Sequence, residues 1–212
     1  MKNVIKNSKF SVYDNVLEKE YLDELWKHFQ QEPFSIPHLK NWLKIWRPND
    51  GTTYGSNYYN KKPESGIMSY VWQYLVAVAE HNEDIIGKRD EDWNEMRLRF
   101  YFYPRGSKIS WHNDFAYTGA MIYYVHPHWG STWGGELFIA ETDEGYSSPN
   151  QPAFDRSTED KFLSENGLGY YIMPKSNRIV VTKGGIWHST NRVDDDAGDN
   201  CRCSIVTFFM KI

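Results

Sequence analysis

Two histidines and one aspartate have the residue types and the spacing of a metal site. His112 and Asp114 are two residues apart at the end of a predicted strand, so both side chains can project to the same side of a sheet. His188 lies much further along the chain, in another predicted strand. Two imidazoles and one carboxylate form the facial triad that binds non-haem Fe(II) and leaves other coordination positions open. Because the spacing alone is a weak signal, its weight depends on the surrounding sequence.

The elements that must position this triad lie in a β-rich second half of the chain. In residues 96–103 apolar side chains alternate with arginines and tyrosines, which predicts a strand with two different faces. Further strands are predicted at 107–112, 120–125, 136–141, 169–173, 178–183, 186–190 and 202–210. Short strands with Gly-Gly pairs and no helical pattern between them favour an antiparallel sandwich or jelly roll. The polar residues 142–167 predict a long surface insertion.

The first half of the chain has helical periodicity instead. Residues 18–31 carry apolar side chains at helical spacing, and Asn15 with Glu18 fits a capping box. A second helix is predicted to begin near Pro63. Its predicted buried stripe consists of Met68, Val71, Trp72, Leu75 and Ala79. Residues 32–60, between the two helices, are predicted to form a loop.

Composition limits the class of protein. The 212 residues include 24 Lys and Arg against 28 Asp and Glu, a formal net charge of −4, with a hydrophobic share of 40%. These values fit one folded domain, and the lack of a basic stripe argues against a nucleic-acid partner. No apolar run is long enough to span a membrane. The N-terminal residues lack a signal-peptide pattern and Cys201 and Cys203 are expected to be reduced, so a cytoplasmic location is predicted.

Five segments around the triad occur in a recognisable order. They are residues 99–106, 111–114, 121–125 leading to Gly134-Gly135-Glu136-Leu137, 173–181, and 202–209 after the second histidine. In this order they resemble the Fe(II)/2-oxoglutarate-dependent oxygenases, and within that superfamily the prolyl-hydroxylase-like branch. The resemblance covers residues 96–212, and more faintly residues 12–29. Five ordered segments are far more specific than the triad alone.

The resemblance implies that His112, Asp114 and His188 ligate Fe(II). It also implies that 2-oxoglutarate and O₂ are co-substrates, that succinate and CO₂ are released, and that ascorbate serves to keep the iron reduced. Family members that halogenate have a small residue in place of the carboxylate ligand. Because Asp114 is present, hydroxylation or a related C–H oxidation is favoured.

The same resemblance implies a 2-oxoglutarate pocket. Arg202 would bind the distal carboxylate of the co-substrate, since guanidinium pairs with carboxylate bidentately. Tyr124 would assist this clamp, and Tyr103 would reach the same pocket from the neighbouring strand. Arg202 follows the second histidine ligand at a longer interval than is usual in the family, and the acidic loop 194–199 is expected to absorb the difference as a solvated turn. Arg192, which is closer to that histidine, is the rival for the clamp.

Alternation along the first long strand extends the pocket to substrate contacts. If Tyr103 faces the cavity, then Tyr101, Arg99 and Arg97 lie on the same face. A buried guanidinium must meet an anion. We therefore expect Arg99 to bind an anionic group of the substrate, with a structural ion pair as the alternative. Further substrate contacts are expected from Tyr101 and, in the aromatic loop, from Tyr54, Tyr58 and Tyr59.

These patterns together predict a mainly β, α+β fold, a double-stranded β-helix (a cupin-like jelly roll) with N-terminal helices packed on one sheet. Residues 1–212 are expected to form a single oxygenase domain, with helical support and a lid loop at 46–60 in residues 1–95 and the jelly-roll core in 96–212. The favoured activity is hydroxylation of a small polar or amino-acid-like metabolite. Hydroxylation of a peptidyl prolyl residue is the alternative. From another class, a cupin-like metal-binding protein or zinc hydrolase is the second alternative.

Overall fold

The structure is a computed structural model that describes residues 1–37, 48–141 and 167–212. The predicted insertion at 142–167 lies almost entirely outside the described residues, as does the start of the predicted lid loop at 46–60. The described helices are α1 (Lys19–Phe29), α2 (Gly66–Glu80) and α3 (Glu83–Ile86). The described strands are β1 (Lys2–Lys6), β2 (Phe10–Asp14), β3 (Tyr54–Gly55), β4 (Trp93–Tyr103), β5 (Ile109–His112), β6 (Tyr117–Tyr124), β7 (Leu137–Ala140), β8 (Gly169–Ile172), β9 (Arg178–Lys183), β10 (His188–Thr190) and β11 (Arg202–Lys211).

Two antiparallel sheets face each other within the described part of the chain. The larger sheet has seven strands in the order β1-β2-β9-β6-β11-β4-β3, and the smaller has four in the order β5-β10-β7-β8. Side chains from both sheets, such as Ile122 and Val180 from the larger and Ile139 from the smaller, share one buried core. Neighbouring strands that are not consecutive in sequence are typical of a jelly roll. The predicted double-stranded β-helix is therefore confirmed.

The pairing of β4 with β11 fixes which side chains face the interior. Arg202 lies opposite Tyr103, and Val206 lies opposite Arg99, in an antiparallel ladder. Residues directly opposite each other share a face of the sheet. Cys203, which belongs to the other parity, is a free thiol buried against the helices, as predicted.

Helices α1 and α2 cover the outer face of the larger sheet. Leu25 and Phe29 of α1 and Leu75 of α2 share a buried core with Phe100 and Ile205 of the sheet. All members of the apolar stripe predicted for the second helix are buried. The predicted packing of N-terminal helices on one sheet is thus confirmed. In the part of the chain that the structure describes, no helix has the length and apolar character needed to cross a membrane.

The helix starts differ from the sequence-based expectation. Glu18 occupies the N-cap of α1 with an extended backbone and no side-chain cap, and α2 begins after Ser65 rather than near Pro63. Asn15 has a φ of 54°, in the left-handed region, and lies in the turn that leads out of β2. The predicted capping box is therefore wrong, because Asn15 is used to turn the chain and not to cap the helix.

Strand β1 is absent from the sequence-based prediction. All of its residues are exposed, and it pairs with β2 at the edge of the larger sheet. An exposed edge strand has no buried face, so its sequence does not need to alternate.

Asn82, which follows α2, links that helix to β2 by side-chain hydrogen bonds. Its side-chain carbonyl accepts hydrogen bonds from Ser11 Oγ and Tyr13 Oη, both at 2.8 Å, and its amide donates to Val78 O at 2.7 Å. Because Asn82 is fully buried, Asn82→Ala leaves these groups without partners. We expect the free energy of unfolding to fall by about 1–3 kcal/mol in urea denaturation. The exposed control Asn3→Ala should change it by less than about 0.5 kcal/mol, and equal stability of the two variants would contradict the expectation.

Candidate metal centre and co-substrate pocket

The predicted triad converges at the inner face of the smaller sheet. The register of β5 and β10 places His112 directly opposite His188, and Asp114 follows β5 by two residues. One possible ligand atom from each of the three side chains lies within 4.8 Å of the other two. Among residues 1–37, 48–141 and 167–212, this is the one group of at least three His, Cys, Asp or Glu side chains that could hold a metal ion. Asp114 Oδ2 is 3.5 Å from His188 Nε2. The sequence prediction of which residues come together is confirmed.

Backbone carbonyl groups orient both imidazoles. His112 Nδ1 lies 2.8 Å from Ser110 O, and His188 Nδ1 lies 2.8 Å from Ile186 O. A carbonyl oxygen only accepts, so each Nδ1 carries the hydrogen and donates it. The Nε2 lone pair of each ring is then directed to a shared ligand, as in most metal-binding histidines.

The electrostatics of the triad favour a bound cation. Burial, followed by the neighbouring His188, lowers the pKa of His112 to about 4, although Asp114 acts in the opposite direction. The His112 ring is therefore neutral at pH 7 and keeps a lone pair for coordination. Two imidazoles and a carboxylate on one side of an ion are the donor set of non-haem Fe(II) sites. The residues present therefore fit Fe(II).

Arg202, on the wall opposite the triad, provides a buried cation. It is 2% exposed, and its Nε donates to Gly135 O at 2.7 Å. One terminal nitrogen donates to Tyr124 Oη at 3.2 Å, and the guanidinium lies 5.0 Å from the ring centroid of Tyr103 and 4.8 Å from that of Tyr124. No carboxylate of the described segments forms an ion pair with Arg202.

Ser204, beside Arg202, gives independent evidence that this pocket lacks a hydrogen-bonding partner. It lies two residues along the same face of β11, opposite Tyr124 in the register, and its buried hydroxyl has no hydrogen-bond partner among the residues that the structure describes. Buried hydroxyls are normally satisfied. A carboxylate bound at Arg202 would supply both the counter-charge and an acceptor, so the pocket fits the distal carboxylate of 2-oxoglutarate.

Arg192, the rival for the clamp, lies outside this pocket. It is exposed, and its guanidinium donates to Gly106 O and, at 2.9 Å, to Asn49 O. The acidic loop that precedes Arg202 contains a single 3-10 turn at Asp195–Ala197, and its acidic side chains are exposed, as predicted for a solvated turn.

A cavity of about 260 Å³ connects the metal centre with the Arg202 pocket. Three of the predicted substrate contacts, Arg99, Tyr101 and Tyr58, line it together with Tyr103. Alternation along β4 thus correctly predicts which of its side chains reach the cavity, except that Arg97 is exposed.

Tyr124, the predicted partner of Arg202, is fully buried behind that arginine.

Tyr54 and Tyr59 are not brought to the cavity. The ring of Tyr54 stacks on Phe102 with centroids 4.5 Å apart, and Tyr59 packs edge-on against Phe100 at 6.0 Å. In the register, Tyr54 lies opposite Phe102, whose parity in β4 is that of the helix-covered face. The expectation that these two tyrosines contact the substrate is therefore corrected: both rings lie against phenylalanines of the other face of β4.

Several lining residues are missed by the sequence analysis. They are Ile109, Tyr117, Ala120, Ile122, Leu137, Thr190 and Phe208. Phe208 follows from the parity of Arg202 if the alternation of β11 is continued to its end. Tyr117 does not follow from parity, because a register shift between β6 and β11 at Phe209 and Met210 changes its orientation.

His126 is buried, but it lies outside the metal centre. Its Nε2 donates to Pro174 O at 2.6 Å, and its Nδ1 accepts from the Cys203 amide at 3.1 Å. Burial lowers its pKa to about 4, although the hydrogen bond to Pro174 acts in the opposite direction. The unfolded chain, with a histidine pKa of about 6.5, binds more protons below that pH, so acid favours unfolding through this residue.

We therefore expect the free energy of unfolding of the metal-free protein to fall as the pH drops from about 6.5 to about 4. The fall should be smaller in His126→Gln, because glutamine can satisfy a donor and an acceptor without titrating. The exposed His128→Gln is the control and should follow the wild type. Urea denaturation at a series of pH values measures the slopes, and identical slopes for wild type and His126→Gln would refute this account.

Comparisons with known proteins agree with this site. The model of the 2OG-Fe(II) oxygenase superfamily matches residues 98–210, which include the whole triad and Arg202. A search among curated proteins gives no match. Among solved structures, a prolyl-4-hydroxylase from Pseudomonas putida is 14% identical, with a TM-score of 0.62 over 96% of this chain and 93% of that chain.

Two further structures show the same fold. A prolyl hydroxylase from Trichoplax adhaerens, in complex with a hypoxia inducible factor peptide fragment, is 16% identical, with a TM-score of 0.66 over 97% of this chain and 84% of that one. HygX from Streptomyces hygroscopicus, with nickel, 2-oxoglutarate and hygromycin B bound, is 11% identical, with a TM-score of 0.58 over 96% and 83%. Because the family model matches residues 98–210, more than half of the chain's length, the chain belongs to the 2OG-Fe(II) oxygenase superfamily and is a dioxygenase that requires Fe(II), 2-oxoglutarate and O₂.

Proposed function

We propose that this dioxygenase hydroxylates an unactivated C–H bond of a small polar or amino-acid-like metabolite. The observation that carries the proposal is the size of the cavity, about 260 Å³, which lies below the roughly 300–1,000 Å³ of most ligand pockets. This volume has to hold the co-substrate as well as the reacting part of the substrate. Arg99 and Tyr58 add polar groups to its lining. A compact molecule with polar groups fits such a space.

In this proposal the triad and the Arg202 pocket have separate tasks. His112, Asp114 and His188 hold the metal, and Arg202 with Tyr124 orients the distal carboxylate of the co-substrate. When bound, Fe(II) and 2-oxoglutarate activate O₂ for C–H oxidation, with release of succinate and CO₂. The carbonyl groups behind the imidazoles keep the metal-binding face fixed during turnover.

Apolar side chains keep water away from the reacting groups. Ile122, Leu137 and Val206 line the cavity on both sheets. A water-poor site strengthens the electrostatic contacts of Arg202 with the co-substrate and limits side reactions.

The proposal treats residues 1–212 as a single oxygenase domain. Strands β2 and β3 both come from residues 1–95, and both belong to the larger sheet. The N-terminal part therefore completes the jelly roll in addition to supporting it with helices. An intracellular location remains a prediction of the sequence.

Hydroxylation of a peptidyl prolyl residue is the second candidate. It draws on the prolyl hydroxylases of Pseudomonas putida and Trichoplax adhaerens among the similar structures, and on Tyr58, which lines the cavity and is 43% exposed. An open rim of this kind is accessible to a peptide. The zinc hydrolase alternative is removed by the family assignment.

The experiment that tests the proposal is a screen for substrate-dependent succinate formation. Purified protein with Fe(II), ascorbate and 2-oxoglutarate is incubated in air with free amino acids and small metabolites, and in parallel with proline-rich peptides. We expect stimulation by members of the small-molecule set and none after chelation of the metal. Stimulation by the peptides alone would replace the first candidate by the second.

A further inference from the structure

We propose that Arg99 anchors a second carboxylate-binding site in the cavity, and that the substrate of this dioxygenase is a small molecule carrying one carboxylate. The proposal rests on the proposed function, because it names the substrate class of the same cavity. It comes from the close likeness between the surroundings of Arg99 and those of Arg202.

The two arginines are held by the same kinds of contact. Arg99 Nε donates to the backbone carbonyl of Ser56, and its guanidinium lies 5.0 Å from the ring centroid of Tyr58 and 5.2 Å from that of Tyr101. Arg202 likewise donates from Nε to a backbone carbonyl and lies between two tyrosine rings. In Arg99 both terminal nitrogens remain without a hydrogen bond to any described residue. These two nitrogens match the two oxygens of a carboxylate.

A glycine makes room for each arginine. A Cβ added to Gly55 would lie 2.6 Å from Arg99 Nε, and one added to Gly135 would lie 2.9 Å from Arg202 Cδ. Both distances are too short for a real side chain to be tolerated without a shift. Gly55 pairs with Tyr101 in the β3–β4 ladder, so the absence of a side chain there lets the guanidinium lie directly against the edge strand.

No acidic side chain among the described residues neutralises the positive charge of Arg99. Arg99 is 9% exposed, and in residues 1–37, 48–141 and 167–212 no carboxylate forms an ion pair with it. Arg97, two residues earlier on the same face, is exposed and pairs with Glu95 at 3.3 Å. A buried cation without a partner is costly, so the structural ion pair considered from the sequence does not account for Arg99.

The charge balance of the cavity calls for one further anion. Its charged lining residues in the described segments are Arg99, Arg202 and Asp114, which leave one net positive charge. Fe(II) and the dianion of 2-oxoglutarate cancel each other, so the same net charge remains when both are bound. A substrate carboxylate bound at Arg99 pairs with this charge, whereas a substrate without a carboxylate leaves Arg99 uncompensated.

The Arg99 site is separate from the co-substrate clamp. Arg99 lies opposite Val206, and Arg202 lies opposite Tyr103, which places the two positions four residues apart along the ladder. At about 3.3 Å per residue this is a backbone separation of roughly 13 Å. Arg202 extends towards β6, while Arg99 extends towards the β3 edge. Both arginines can therefore bind a carboxylate at the same time, one from the co-substrate and one from the substrate.

The test compares benzoate with benzamide, which have nearly the same shape and differ in charge. The protein is loaded with Fe(II) and saturating 2-oxoglutarate without O₂, so that Arg202 is occupied, and each probe is titrated by calorimetry. We expect benzoate to bind at least about 10-fold more tightly than benzamide, because hydrogen bonds between two charged groups are stronger than those to a neutral amide. Arg99→Gln should weaken benzoate binding by at least about 10-fold and leave 2-oxoglutarate affinity unchanged.

Two further variants separate binding from folding. Arg97→Gln, on the same strand, should bind benzoate as the wild type does. Gly55→Ala keeps the charge of Arg99 but displaces its guanidinium, and it should also weaken benzoate binding, with thermal unfolding confirming that each variant is folded. Absence of benzoate binding by the wild type, no preference over benzamide, or equal affinity in Arg99→Gln would each overturn the proposal.

The two proposals fail in different ways. If the wild-type protein neither binds 2-oxoglutarate nor converts it to succinate, the proposed function is refuted. In that case benzoate titration of wild type against Arg99→Gln without the co-substrate still decides whether Arg99 binds a carboxylate.

Discussion

Replacing His112, Asp114 or His188 by alanine is expected to reduce succinate formation from 2-oxoglutarate by more than about 100-fold. Loss of an outer partner of a metal ligand typically costs about 10- to 100-fold, and each of these side chains is itself a ligand in the proposed site. With two donors left, the site lacks the facial arrangement that holds Fe(II) while leaving positions open.

The measurement combines succinate formation with the iron content of each purified variant. His128→Ala is the matched control, because His128 is exposed and does not belong to the cluster. Its activity and iron content should equal those of the wild type. Wild-type activity in any one of the three triad variants would show that the cluster is not the catalytic metal centre.

Arg202→Gln is expected to raise the KM for 2-oxoglutarate by about 30-fold or more. Truncating one partner of a buried, hydrogen-bonded charge pair costs about 2–5 kcal/mol, and each 1.4 kcal/mol is a factor of ten. Iron binding should not change, because Arg202 is not among the metal ligands. Arg202→Lys should give an intermediate KM, since lysine keeps the charge but loses the fork that contacts Gly135 and Tyr124.

Arg192→Gln is the control for this series. Arg192 lies on the surface, and we expect the KM for 2-oxoglutarate to stay at the wild-type value. The KM is obtained from succinate release at varied 2-oxoglutarate once a substrate is identified, and from calorimetric titration of the iron-loaded protein before that. If Arg192→Gln weakened 2-oxoglutarate binding and Arg202→Gln did not, the two assignments would have to be exchanged.

The parts of the site that lie on long strands could be predicted from the sequence. Along β4 the register with β11 is continuous from Glu95 to Tyr103, so one assumption about Tyr103 places Tyr101 and Arg99 correctly. On β11, Arg202 and Val206 have the same parity, and both line the cavity. In a regular strand each side chain's face is fixed by parity alone, and the buried face keeps the register from slipping.

Parity could not place the residues outside regular strands. Tyr54, Tyr58 and Tyr59 look equivalent in sequence, yet only Tyr58 lines the cavity. Their orientations depend on where β3 and the bridge from Tyr59 meet β4, and that contact joins residues more than 30 positions apart. The orientation of Tyr117 likewise cannot be predicted from parity, because a bulge changes the register beside it. Long-range pairing of this kind leaves no local periodicity to read.

In the proposed co-substrate site, the buried charge of Arg202 makes the stability of the protein depend on 2-oxoglutarate. The guanidinium is surrounded by Tyr103, Tyr124 and Gly135, from three different segments, so whatever binds it acts on the part of the sheet where those segments meet. A ligand that binds only the folded state stabilises it by RT ln(1 + [L]/Kd), which is about 2.7 kcal/mol at one hundred times Kd. We therefore expect the resistance of the chain to heat and to proteases to report the concentration of 2-oxoglutarate, whether or not any substrate is turned over.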